Sequence, residues 1–245
     1  MINGQVIQIE EVLERTTQGV TEPFLCRGTN GVLYYVKGHG AGRKSLVAEW
    51  ISGCMAQTFG IPIAPFFVAE VDPAIIEYGP PHYRDLGSGY VFASQRIENV
   101  MELARSNIKD IPMQLQSDVI VFDYWVRNQD RILTDMGGNP NLLWNPATKD
   151  LLVIDHNQAF DPDFDCDIFF EGHAFSHAWD IVFEDLFERQ RYEDRMRRAL
   201  GQFEDACDRM PDSWLWLADD LPLKFTFEDA RSVLAESIPH FWRRR

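Results

Sequence analysis

Cysteines, basic residues and long apolar runs are scarce in this sequence. The four cysteines are far apart and form no CxxC pair, so a zinc site is not expected and a reduced, cytoplasmic setting is the default. Lys and Arg number 23 against 38 Asp and Glu, and the formal net charge of −15 excludes a general attraction to nucleic acid or to an anionic membrane. No apolar run approaches the roughly 20 residues that span a bilayer. The first twenty residues lack the basic and apolar regions of a signal peptide, so no targeting segment is expected.

The rest of the composition is typical of a folded protein with a large hydrophobic core. The chain has 245 residues, of which 45% are hydrophobic and 13% aromatic. Strand-like patterns dominate the first part and helical patterns the second. We therefore predict an α+β fold with a β-rich lobe in residues 1–98, a helical lobe in residues 99–245 and a cleft between them.

Local patterns predict the order of elements. An Asn30-Gly31 pair between two strand-like runs predicts a hairpin. Apolar residues then recur at helical spacing until Gly60, and two further strands follow, separated by a Pro/Gly-rich loop in residues 77–89. A hairpin that turns at residues 145–150 interrupts the helical second part, and the last seventy or so residues are predicted to be helical.

Two aspartates stand where a buried element ends. Asp130 follows the apolar run 115–126, and Asp155 follows the apolar strand 151–154. Asn141 precedes the partner strand, so a hairpin would bring Asn141 and Asp155 within reach of one hard cation such as Mg²⁺. Asp130 would then be free to orient or deprotonate a hydroxyl. Taken singly, each of these residues could equally well be a solvated loop residue, and Asp155 could be the N-cap of a helix. Their order along the chain and their positions after buried elements together favour a functional site.

Two residues of the first part, Lys37 and Gly19, are candidates for phosphate binding, and Glu49 is a candidate partner of Lys37. Lys37 ends an apolar strand, from which a lysine can reach phosphates, although a strand-end lysine in water is commoner. Glu49 could pair with Lys37 from the following helix, but its helical phase points it away from the apolar stripe of that helix. Gly19 lies in a loop between two strands, and the backbone amides of that loop could cover phosphates.

Two motif-like stretches fail on spacing. "GHGAGRKS", which starts at Gly38, has Arg43 where a P-loop needs glycine, and the bulky side chain would block the approach of a phosphate. "DPDFDCDIFFEG", which starts at Asp161, has Cys166 and Gly172 where an EF-hand loop needs Gly and Glu. Neither a P-loop nor a calcium loop of this type is expected.

With these residues in this order, the sequence resembles proteins with a protein-kinase-like fold of the HipA-like type. It is also similar, more distantly, to the phosphatidylinositol 3/4-kinase group. The specific part of the resemblance is "NQDR", "NPNLL" and "VIDHNQAF"; "YYVKG" and the helix with Glu49 also match, over roughly residues 10–160. The resemblance implies a bilobal kinase that uses ATP and Mg²⁺. It also implies a protein Ser/Thr substrate and a toxin–antitoxin setting, with a cognate antitoxin or regulator as partner.

The resemblance also implies roles for individual residues. Asp130 becomes the catalytic-loop aspartate, Asn141 and Asp155 the metal ligands, and Lys37 the phosphate-contacting lysine. The backbone of Gln95 to Ile97 becomes the hinge that meets adenine.

The sequence departs from the pattern of this fold in its catalytic loop. The catalytic aspartate and the metal-binding asparagine are usually five residues apart, and here Asp135 occupies that position. "ILTDMGG" looks like an insertion, which leaves Asn139 and Asn141 as alternatives; Asn141 is preferred because it directly precedes an apolar pair. Asp155 is followed by His-Asn rather than Phe-Gly. The unusual loop motivates a second hypothesis, a nucleotide-binding pseudokinase that acts as an interaction module.

Overall fold

The computed structural model describes residues 6–16, 22–218 and 220–242. The strands in these ranges are β1 (Ile7–Arg15), β2 (Phe24–Gly28), β3 (Leu33–Lys37), β4 (Phe66–Val71), β5 (Gly89–Gln95), β6 (Met101–Glu102), β7 (Leu142–Asn145), β8 (Asp150–Val153), β9 (Trp216–Ala218) and β10 (Leu221–Pro222). The α-helices are α1 (Arg43–Phe59), α2 (Pro73–Glu77), α3 (Met113–Val126), α4 (Cys166–Gly172), α5 (Ala178–Glu184), α6 (Leu186–Leu200), α7 (Phe203–Asp208) and α8 (Phe227–Ser237). The fold is mixed α+β, as predicted. No described helix combines the length and the apolar character needed to cross a membrane.

The chain forms two compact units, each assembled from separate stretches of sequence. Unit 1 consists of residues 1–50, 64–98 and 208–225, and unit 2 consists of residues 51–63, 99–207 and 226–245. Helix α1 contributes its first half to unit 1 and its second half to unit 2.

Unit 1 is built on a closed five-stranded barrel with the order β1-β2-β3-β5-β4. The neighbours β1 and β4 are parallel, and the other pairs are antiparallel. The β2–β3 hairpin is confirmed where the Asn-Gly pair predicted it. Gly31 has a φ of 78°, and the Asn30 side chain accepts a hydrogen bond from the Val32 amide at 3.1 Å. Tyr34 and Val36 point into the buried core of the barrel while Tyr35 is partly exposed, as the period of two along a strand requires.

Gly38 has a steric reason to be glycine. A Cβ atom at this position would lie 1.8 Å from the carbonyl oxygen of Leu86, and the amide of His39 donates to the same oxygen at 3.1 Å. We expect Gly38→Ala to lower the free energy of unfolding by about 1–3 kcal/mol, the usual range for overpacking a tight site. Chemical denaturation measures the change. Gly172→Ala is the control, since its nearest contact would be an ordinary 3.5 Å, and equal stability of the two variants would contradict the explanation.

Unit 2 contains the long helix α3 and the three-stranded sheet β6-β7-β8. Helix α3 is buried on most of its faces, including Phe122 and Trp125, which pack against Phe59. The predicted hairpin is β7–β8, and its turn is capped by the Asn145 side chain, which accepts from the amides of Ala147 and Thr148. The unit therefore brings the end of α3 and one end of a hairpin into a single packed body.

The last seventy or so residues are mostly helical, as predicted, but the prediction is wrong for residues 216–218 and 221–222. Strands β9 and β10 form an antiparallel pair that belongs to unit 1. Trp214, in the 3-10 helix Asp212–Leu215 that precedes β9, is fully buried; its ring meets Trp50 edge to face, and its Nε1 donates to the Tyr90 carbonyl at 2.9 Å. These contacts are distant in sequence, and a local apolar pattern cannot reveal them. The predicted loop at 77–89 also contains a 3-10 helix, Pro81–Asp85.

Candidate active site

The "NQDR" loop is held at the C-terminal end of helix α3 by a sharp reversal of the backbone. Arg127 adopts the left-handed conformation, with a φ of 57°, and its amide donates to the carbonyls of Asp123 and Tyr124. The amide of Asn128 also donates to the Asp123 carbonyl, at 2.8 Å. These bonds satisfy the last carbonyls of the helix and fix the loop that carries Asp130.

The side chain of Asn141 contacts Asp130. Its Nδ2 donates to the Asp130 carboxylate at 3.2 Å and to the Asp130 carbonyl at 3.1 Å. Both partners are acceptors, so the amide nitrogen faces Asp130 and the Oδ1 atom is left as the group that could bind a cation. Asn141 is 5% exposed, whereas Asn139 is exposed and its side chain accepts a 3.4 Å bond from the Asn141 amide. Of the two asparagines left open by the sequence, the structure brings Asn141 to Asp130.

Asp155 lies at the same end of the hairpin as Asn141. Leu142 pairs with Val153, and one residue further along, the Ile154 amide donates to the Asn141 carbonyl at 3.1 Å. Asn141 and Asp155 both have left-handed backbones, with φ angles of 50° and 58°. The alternative that Asp155 caps a helix is wrong, because it is followed by a turn, and the next helix, α4, is capped by Asp165.

The stretch "ILTDMGG", which was expected to be an insertion, forms a tight turn that projects into solvent. Thr134 and Gly137 exchange two backbone hydrogen bonds of 3.0 and 3.1 Å. Asp135, which occupies the usual asparagine position, has an 85% exposed side chain and pairs with Arg105 at 2.7 Å. The turn thus displaces Asp135 from the site, and Asn141 stands beside Asp130 instead.

A buried ion pair supports the loop, and sequence analysis did not single it out. The Nε of Arg131 donates to Asp123 at 2.5 Å, and neither residue is exposed to solvent. Asn128 and His173 contact the same carboxylate at 2.9 and 3.1 Å. The available sequence signal was a single aspartate within the apolar stretch "VIVFDYWV", because a charged residue is rarely fully buried without a partner.

The charges of this cluster are set by its surroundings. Burial by itself would raise the pKa of Asp123, but the charge of Arg131 and the hydrogen bonds from His173 and Arg131 lower that pKa well below its usual range. Burial lowers the pKa of His173, against the opposing effect of Asp123. The Nδ1 of His173 accepts from the Phe175 amide at 3.1 Å, so a neutral ring donates to Asp123 through Nε2. The carboxylate is ionised and Arg131 balances it.

In unit 1, Lys37 and Glu49 form a buried ion pair. The Lys37 Nζ lies 2.8 Å from the Glu49 carboxylate, and the two residues are 8% and 6% exposed. The two residues pair although the helical phase of Glu49 predicted otherwise. Helix α1 is buried on several faces at this point, since Leu46, Val47 and Ala48 are also inaccessible to solvent, and a single apolar stripe does not describe it.

The remaining candidates are the segment Gln95 to Ile97 and Gly19. Of the residues expected to form the hinge, the Gln95 amide donates to the Pro65 carbonyl at 2.7 Å and the Arg96 amide donates to the Leu33 carbonyl at 2.9 Å. Gly19 lies outside the described residues.

The donor set fits a hard cation that also binds a ligand. Within the described ranges, no cluster of three or more His, Cys, Asp or Glu residues could hold a metal by itself. An amide oxygen from Asn141 and a carboxylate from Asp155 are the ligand types that Mg²⁺ accepts, and Mg²⁺ usually completes its shell with water and phosphate oxygens. The site is suited to a metal that arrives with a phosphorylated ligand.

Comparisons with known proteins identify the family of the chain. Residues 9–245 match the family described as HipA-like kinase, and the chain belongs to that family. A comparison with curated proteins found no match. Among solved structures, the chain is similar to the Helicobacter pylori proinflammatory kinase CtkA, with 11% identity, a TM-score of 0.51 and coverage of 98% of this chain and 100% of that one. The open conformation of CtTel1 matches at 13% identity over 90% of this chain and 11% of that one, with a TM-score of 0.35 that carries no argument about the fold.

Proposed function

We propose that this protein is an ATP- and Mg²⁺-dependent kinase with the bilobal architecture of protein kinases, and that it transfers the γ-phosphoryl group to a hydroxyl. One observation carries the proposal. A single asparagine side chain, that of Asn141, ties the carboxylate of Asp130 to the hairpin end where Asp155 follows. An acceptor-side carboxylate and two oxygen ligands in one cluster form the arrangement that phosphoryl transfer uses.

Each residue has a separate task under this proposal. Asp130 orients the acceptor hydroxyl and takes its proton. Asn141 and Asp155 supply oxygen ligands, and Lys37, held by Glu49, contacts phosphate oxygens. The Ile97 backbone meets adenine. When bound, Mg²⁺ would neutralise charge on the β- and γ-phosphates.

We propose that the acceptor is a Ser or Thr side chain of a protein. Membership of the HipA-like family supports this choice, and so does the formal net charge of −15, which offers no general attraction to anionic headgroups. A cognate antitoxin or regulator as partner, and a cytoplasmic setting, belong to the same proposal.

A paired measurement tests the function. ATP affinity is measured by calorimetry with and without Mg²⁺, and ADP release is measured on the same preparation with and without a mixture of protein acceptors. We expect Mg²⁺-dependent affinity together with turnover. Mg²⁺-dependent binding without turnover under any acceptor would favour the pseudokinase alternative, which the inserted turn at residues 132–138 motivates. No binding at all would contradict both.

Lys37→Met is expected to weaken ATP binding and to lower turnover at least tenfold. The substitution removes the cation that contacts phosphate and deprives the buried Glu49 carboxylate of the charge of Lys37, a change that costs about 3–5 kcal/mol of stability in other buried pairs. Glu49→Gln should have a smaller effect because the amide oxygen still accepts a bond from Lys37. Thermal unfolding and ATP titration of both variants are the measurements.

The control for this pair is Lys44→Met, since Lys44 is an exposed cation at the start of α1. If Lys44→Met and Lys37→Met weakened ATP binding equally, general loss of positive charge would explain both, and Lys37 would have no specific role.

A further inference from the structure

Arg131 touches three stretches of chain at once. Through Nε and Nη2 it binds Asp123 of helix α3, at 2.5 and 3.2 Å. Through Nη1 it approaches the carbonyl oxygens of Pro140 at 3.2 Å, Asn141 at 2.7 Å and Ile154 at 3.2 Å. One guanidinium therefore connects the helix before the catalytic loop with both strands of the β7–β8 hairpin, at the end where the proposed metal ligands lie.

The carbonyls that Arg131 binds belong to a strained part of the backbone. Asn141 and Asp155 have φ angles of 50° and 58°, a region that costs free energy for residues other than glycine. Such conformations persist where the surroundings impose them. Arg131 binds the carbonyl of Asn141 itself and the carbonyl directly before Asp155, so it acts on both of the left-handed residues.

Asp123 determines the direction in which Arg131 points. Its two carboxylate oxygens take Nε and Nη2 in the bidentate manner of arginine–carboxylate pairs, which turns the remaining nitrogen, Nη1, towards the carbonyls. The carboxylate is in turn oriented by Asn128 at 2.9 Å and His173 at 3.1 Å. The direction of the guanidinium is thus decided inside helix α3, away from the reacting groups.

We propose that Asp123 is a positioning residue that acts through Arg131 to keep Asn141 and Asp155 in the backbone conformation and at the separation that one Mg²⁺ requires. The role rests on the proposed function, because it concerns the residues assigned there to the metal. Asp123 and Arg131 do not themselves bind the metal or the nucleotide. They fix the backbone conformation at the end of the hairpin, as residues that hydrogen-bond to metal ligands commonly do.

Asp118 offers a matched control on the same helix. Its carboxylate also forms an ion pair with an arginine, Arg195, and accepts from Tyr192. None of these groups belongs to the loop or hairpin in residues 128–155. Asp118→Asn therefore removes a similar interaction from the same helix and leaves the proposed metal side untouched.

The test compares Asp123→Asn, Asp118→Asn and Arg131→Lys. The first readout is hydrogen exchange of the Ile154 amide, which donates to the Asn141 carbonyl, in protein free of metal and nucleotide. The second is the Mg²⁺ concentration at half-maximal ATP affinity. We expect Asp123→Asn to accelerate exchange at Ile154 and to raise the half-saturating Mg²⁺ by about 10- to 100-fold, as loss of a supporting residue usually does. Asp118→Asn should change neither the exchange rate at Ile154 nor the half-saturating Mg²⁺ concentration, provided that its melting temperature is comparable with that of Asp123→Asn.

Arg131→Lys keeps the test decisive if Asp123→Asn does not fold. A lysine preserves the positive charge beside Asp123, but it cannot bind both carboxylate oxygens and still reach the carbonyls. It should therefore give the same two effects as Asp123→Asn.

The possible results separate the two proposals. If the wild type binds Mg·ATP but the Asp123 and Arg131 variants match Asp118→Asn in both readouts, the positioning role is overturned and the proposed function stands. If the wild type has no Mg²⁺-dependent ATP affinity, the proposed function fails and the metal-positioning role fails with it.

Discussion

Asp130→Ala is expected to lower phosphoryl transfer by about 10²- to 10⁴-fold, the usual contribution of a positioned acid or base, while ATP affinity remains nearly unchanged. Asp130 is assigned to the acceptor hydroxyl, whose alignment lowers the barrier only in the transition state. The structure adds a reason for the metal side to survive. Asn141 also donates to the backbone carbonyl of Asp130, at 3.1 Å, and the substitution retains that bond. Removal of a negative charge near the triphosphate should tighten ATP binding slightly.

Asp135→Ala is the matched control for Asp130. It lies in the same loop, at the position where the catalytic loop of this fold usually carries asparagine, but its side chain is 85% exposed and faces Arg105. ADP release and ATP affinity are measured on both variants. Wild-type turnover in Asp130→Ala, or an equal loss in Asp135→Ala, would refute the assigned role.

Asp155→Asn is expected to remove most of the Mg²⁺-dependent part of ATP affinity and to lower turnover at least about 100-fold, since a metal supplies several kcal/mol of charge stabilisation. Asparagine is the appropriate replacement because Asp155 has a φ of 58°, a conformation that asparagine tolerates better than alanine. The variant should therefore fold and lose only the charge. ATP titration at several Mg²⁺ concentrations measures the effect.

Asp150→Asn serves as the control, because Asp150 is an exposed residue at the other end of the same hairpin. The same titration on Asn139→Ala and Asn141→Gly decides between the two asparagines, and glycine at 141 keeps the left-handed backbone available. Unchanged Mg²⁺ dependence in a folded Asp155→Asn protein would exclude this residue as a metal ligand.

Several elements were predictable because the information for them is local. The Asn30-Gly31 turn and the hairpin that turns at residues 145–150 each depend on a few adjacent residues whose side chains and φ angles favour the turn. Helix α1 ends at Phe59, and the next residue, Gly60, has a φ of 98° and closes the helix as predicted. In each case the deciding interactions lie within a few positions in the sequence.

Other features depended on partners far away in the sequence. Trp214 lies in a 3-10 helix, Asp212–Leu215, and is buried against Trp50 and the Tyr90 carbonyl, and no pattern near residue 214 indicates those partners. The pairing of Lys37 with Glu49 was judged from one apolar stripe, although α1 is buried on several sides. Asp123 was passed over because its neighbours are apolar and its partner Arg131 was considered only as part of a loop.

The sequence by itself determined the class of fold, the family resemblance and the identity of the candidate reactive residues, because these depend on residue types and on their spacing within short segments. Only the tertiary structure decided that Asn141 rather than Asn139 meets Asp130, that the inserted turn carries Asp135 away, and that Asp123 orients Arg131 towards the hairpin. The physical reason is the same in each case. A hydrogen bond or ion pair is decided by distance and burial, which depend on how separate stretches of chain pack together, and packing is a property of the whole fold.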